Sequence, residues 1–81
     1  MIELAFVSGR FGWAIYALSG VQHVLAPDGN SRPARADEFG AFALERGEFE
    51  EVREVQLDAL KDLLGKRIEE QNALFLFIAP E

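Results

Sequence analysis

The chain contains no cysteine. That excludes a disulfide frame, a thiolate nucleophile and any cysteine metal site, and it agrees with a reducing, cytoplasmic setting. Histidine is nearly missing as well, since His23 stands alone. One imidazole cannot anchor zinc, which takes three or four protein ligands, and His23 has no partner for general-base work. Long apolar runs are absent too. Phe11 to Ala26 is the longest mostly apolar stretch, at 16 residues with Gln22 and His23 inside it, and a membrane span needs about 20. The opening MIELAFVSGR carries Glu3 where a secretory leader would carry Lys or Arg. The expectation is a soluble cytoplasmic protein with no metal, no cofactor and no membrane contact.

Signatures of catalysis are equally scarce. Ser8, Ser19 and Ser31 each adjoin a glycine or asparagine; turn chemistry accounts for them, and none lies in a G-x-S-x-G elbow. GRFG at 9–12 lacks the glycine spacing and following helix of a phosphate loop. Glu50-Glu51 and Glu69-Glu70 are adjacent, so their side chains diverge instead of converging across a cleft as a glycosidase pair must. Arg10, Phe11, Trp13 and Tyr16 pair cation with aromatics, but a nucleic-acid groove needs a basic field and this chain has net charge −6. LKDLL at 60–64 resembles a docking motif whose leucines are those of a core stripe. No catalytic residue is expected, and the chain reads as a non-enzyme.

What is present is enough for one core. Eighty-one residues, 49% hydrophobic with seven Phe, one Trp and one Tyr, make a single domain over 1–81, with stability of about 4–12 kcal/mol. Alternation of apolar residues predicts strands at 2–8, 12–18 and 21–26, a meander whose second link, Ser19-Gly20, suits a tight hairpin. APDGNSRPAR at 26–35 is dense in turn residues and reads as a connection, with Pro33 opposing ladder bonding. From Asp37 the spacing of Phe39, Phe42 and Ala43 is helical, and Gly47 stands where a C-terminal cap glycine would. Residues 48–56 fit either a helix or a charged edge strand. Leu57, Leu60, Leu63, Leu64 and Ile68 form one helical stripe. The closing ALFLFIAP is apolar throughout, which suggests an interior strand filled by Phe75, Phe77 and Ile78 and ended by Pro80. The predicted class is α+β: an antiparallel sheet of about four strands, three from the meander and one C-terminal, with one or two helices on one face.

Charge is the most informative feature. Residues 37–58 hold eight acids (Asp37, Glu38, Glu45, Glu48, Glu50, Glu51, Glu54, Asp58) and two bases, a net of −6, while the other 59 residues balance six against six. A solvated face that aids solubility is the plain account. The asymmetry supports a sharper one, because such a patch attracts a basic surface and loses strength in salt. One of Phe39, Phe42 and Phe49, left exposed among carboxylates, would anchor the contact. The expected partner is a basic, nucleic-acid-binding protein, not nucleic acid itself, and the expected role is that of a stoichiometric inhibitor. In size and charge the chain is similar to phage-encoded inhibitors, anti-CRISPR proteins among them. The similarity is one of class, carried by no motif. The alternative is a structural or assembly subunit that forms homodimers through a sheet edge. A small-ligand binder using Tyr16 and Trp13 is a third reading.

Overall fold

The three predicted strands form where the alternation places them, as β1 (Ile2–Ser8), β2 (Trp13–Leu18) and β3 (Val21–Leu25). The computed structural model describes residues 1–78, with side chains as far as Leu74. Ser19 and Gly20 join β2 to β3 with φ of 54° and 78°, the pair of positive angles that matches the twist of a two-residue hairpin. The turn-rich 26–35 segment makes a second hairpin. Asp28 Oδ1 accepts from the Asn30 amide at 2.9 Å, Gly29 takes a φ of 91°, and β4 (Ser31–Pro33) returns along β3. Pro33 therefore stands in a strand after all. It is tolerated because β4 is the sheet's edge, where a missing N–H need not face a neighbour.

The helix α1 (Ala36–Leu44) follows. Asp37 and Glu38 suit the positive end of its dipole, and Glu38 Oε1 accepts from the Arg35 amide at 2.8 Å. Gly47 is not its cap. The helix stops at Glu45, whose N–H reaches the Ala41 carbonyl at 3.0 Å, and Arg46–Glu48 form a single 3-10 turn. Residues 50–55 resolve the ambiguity of their stretch as β5 (Glu50–Val55), paired antiparallel with β1. The sheet order is β4-β3-β2-β1-β5.

The long helix α2 (Leu57–Ile78) closes the described chain. The expected C-terminal strand is thus corrected: 73–78 continue the helix, and the sheet gains β4 and β5 instead. An unbroken apolar run has no period to mark it as strand, and a helix already nucleated extends at little cost. The proposed interior role of Phe75, Phe77 and Ile78 lies outside the described side chains. The α+β class and the antiparallel sheet are as expected.

Alternation assigns the two sheet faces. Ala5, Val7, Ala14, Tyr16 and Leu25 face α2 and form the core with Leu60 and Leu64. The other face carries Phe6, Trp13, Ile15 and Val24. There Phe42 of α1 lies 4.9 Å from the Phe6 ring, and Phe49 meets Phe42 at 5.0 Å and Trp13 at 5.0 Å. The helices therefore cover opposite faces, not one. Their footing differs. Leu60 and Leu64 are fully buried, whereas α1 buries no residue.

Candidate protein-binding face

The acidic stretch begins at β4, crosses the sheet as α1, and ends along the β5 edge and the first turn of α2. The eight predicted residues are consequently strung out and do not gather into one cluster. Asp37 and Glu38 sit at the β4 end of α1. Glu45, Glu48, Glu50 and Glu51 surround the entry to β5. Glu54 and Asp58 lie toward the Ile2 end, since Val55 pairs with Ile2.

Half of these carboxylates already have partners. Arg32 grips Glu38 with both guanidinium nitrogens, one at 2.8 Å. With the Arg35 amide, that grip lowers the Glu38 pKa from 4.5 to about 2. Arg67 reaches across from α2 to Glu50 at 2.8 and 3.3 Å, and its hydrogen bonds hold the Glu50 pKa below the ordinary value despite some desolvation. Arg10 meets Glu48 at 3.1 Å, and Glu51 takes Arg53 at 2.7 Å and Arg46 at 3.6 Å. Arg46 also lies over the Phe6 ring at 4.2 Å, so it joins the aromatic layer to the acidic edge. Exposed pairs of this kind contribute about 0–1 kcal/mol each. Their larger effect is on charge: Arg10, Arg32 and Arg67 come from outside 37–58 and reduce its net from −6 to −3.

Asp37, Glu45, Glu54 and Asp58 have no ion pair among the described residues, and all four are exposed. Apolar side chains lie between them. Of the three phenylalanines, Phe49 is buried at 6%, Phe42 is half-buried and Phe39 is 40% exposed; Leu44, beside Glu45, is 84% exposed. Sequence reasoning found the acids but not the three arginines from outside the stretch that hold Glu38, Glu50 and Glu48, because those pairs span 6, 17 and 38 residues.

His23, Ser8 and Ser31 take part in local contacts. His23 Nδ1–H donates to the Val21 carbonyl at 2.9 Å, and the ring stacks on Tyr16 at 5.3 Å. Ser8 Oγ accepts from the Phe11 amide at 3.0 Å, and the Tyr16 hydroxyl bonds Ser31. Among the described residues no helix is long and apolar enough to cross a membrane, and no group of three or more His, Cys, Asp or Glu is placed to hold a metal. No protein-family model, curated protein or solved structure matches the chain. The face is therefore interpreted by its own chemistry.

Proposed function

We propose that the protein is a small protein-binding module that docks the α1–β5 face on a basic, nucleic-acid-binding protein and inhibits it stoichiometrically, in the manner of phage-encoded inhibitors. The observation that carries this reading is the charge left over. Five of the six arginines brace glutamates of the stretch, yet Asp37, Glu45, Glu54 and Asp58 remain exposed and unpaired among the described residues. Phe39 and Leu44 supply the apolar contact that charge alone lacks. Self-association through a sheet edge has less support. The β4 edge is three residues long and ends in Pro33, and β5 would set its own glutamates against a second copy's.

The test uses immobilised protein and a cell lysate. Captured proteins should bind nucleic acid, form 1:1 complexes by light scattering, and be displaced by duplex DNA. Capture should weaken steeply between roughly 50 and 500 mM salt, as screening shortens. Glu45→Lys with Glu54→Lys should weaken binding by at least about tenfold, since repulsion replaces attraction. Asp62→Lys with Glu69→Lys, an equal change of charge on the outer side of α2, should matter far less. Equal losses would mean that net charge acts and the face does not. Unchanged binding by the first pair would sink the proposal.

A further inference from the structure

The start of α1 roofs a recess of about 340 Å³ on the sheet face opposite α2. Its walls are apolar: Trp13, Val24, Ala26, Pro27 and Ala41. Its charged lining consists of Asp37 and the Arg32–Glu38 pair. Trp13 is half-buried. Phe49 meets its ring at 66°, an inclined contact that covers at most one face of the indole.

We propose that this recess receives an arginine side chain of the basic partner, its aliphatic stem along the apolar walls and its guanidinium between the Trp13 indole and the Asp37 carboxylate. The inference rests on the protein-binding reading above and assigns that face its anchoring pocket. Charge decides the class of occupant. Arg32 is held by both oxygens of Glu38 and offers no free cation to an anionic ligand, so the lining's unmatched charge is the Asp37 carboxylate. An aromatic wall beside a carboxylate favours a planar, weakly hydrated cation, and guanidinium stacks on indole better than ammonium does. The site is also preorganised. Glu38, bonded to both Arg32 and the Arg35 amide, fixes the first turn of α1 and with it the position of Asp37.

Trp13 is the chain's only tryptophan, so its fluorescence reports the recess directly. The probes are hexa-arginine, hexa-citrulline and hexa-lysine peptides, each carrying a dye for an independent anisotropy measurement. Hexa-arginine should bind and change Trp13 emission saturably; hexa-citrulline should do neither. Ala41→Met, which narrows the recess at an exposed helical position, and Asp37→Asn, which removes the charge, should each weaken hexa-arginine binding about tenfold, or roughly 1.4 kcal/mol. Binding by anisotropy with silent Trp13 and unaffected variants would overturn the pocket and leave the acidic face standing. An equal Trp13 response to hexa-lysine would overturn the guanidinium assignment. Absence of any hexa-arginine binding overturns the pocket too, and the Glu45 and Glu54 reversals then judge the face independently.

Discussion

Gly9 lies where the β1–β2 loop passes against α2, and a Cβ there would stand 2.4 Å from the Arg67 carbonyl oxygen. That atom belongs to helix backbone and cannot swing aside, so Gly9→Ala must push loop and helix apart. The expected cost is about 1–3 kcal/mol, against about 4–12 kcal/mol in total for a chain of this length. Urea unfolding measures it, and an unchanged midpoint would mean that α2 does not depend on this approach. Glu54 is the other residue whose backbone matters. Its φ of 53° interrupts the β5 alternation, and the β1 ladder skips Glu3 and Glu54 while pairing the residues on both sides. The result is that Val52 and Val55 both reach the core, as do their partners Ala5 and Ile2. The three-residue spacing that resembles a helix in the sequence is this left-handed step inside a strand.

The two helices are attached on different terms. α2 presents Leu60 and Leu64 to the core at 0% and 2% exposure, and its stripe is readable in the sequence because the apolar residues recur at helical period. α1 has one main foothold, the half-buried Phe42 between Phe6 and Phe49. Phe42→Ala should cost about 1–2 kcal/mol, part of what full burial of a phenylalanine is worth. The loss should be local: amide exchange should quicken across 36–44 while β1 and β2 keep their protection. Equal quickening in both would show α1 to be integral to the fold. These differences mark what the sequence could reveal. Strands with alternation, the Ser19-Gly20 hairpin and the α2 stripe are periodic or local, so they were legible. The side on which α1 packs was not, because it depends on which face of the sheet α2 has already taken. Nor was the recess at Trp13, built from residues in β2, the 26–27 turn and α1. The eight acids were visible as charges, but Glu38 and Glu50 gain their structural role only when Arg32 and Arg67 arrive from elsewhere in the chain.

For the molecule as a whole, charge for binding and charge for folding are separable by pH. The net charge of −6 falls to zero near the isoelectric point of about 4.7, and attraction for a basic partner should fall with it. The bracing of α1 responds differently. Glu38 has its pKa lowered from 4.5 to about 2, first by the Arg32 hydrogen bonds and then by the Arg35 amide. A carboxylate depressed in the folded state stabilises it fully above the unfolded value, and that contribution fades as pH drops from about 4.5 toward 2. At pH 4.7 the Arg32–Glu38 bridge is therefore intact while the net charge of the whole molecule is gone. Partner capture should be weaker at pH 4.7 than at pH 7, with the circular dichroism of the protein unchanged. Glu38→Gln should be less stable than the parent at pH 7, and the two should converge as pH approaches about 2. A carboxyl-carbon NMR titration reads the Glu38 midpoint directly, and a value near 4.5 would show that the bridge does not hold in solution. Full-strength capture at pH 4.7 would mean that net charge adds nothing to capture and that the local arrangement of the α1–β5 face alone carries recognition.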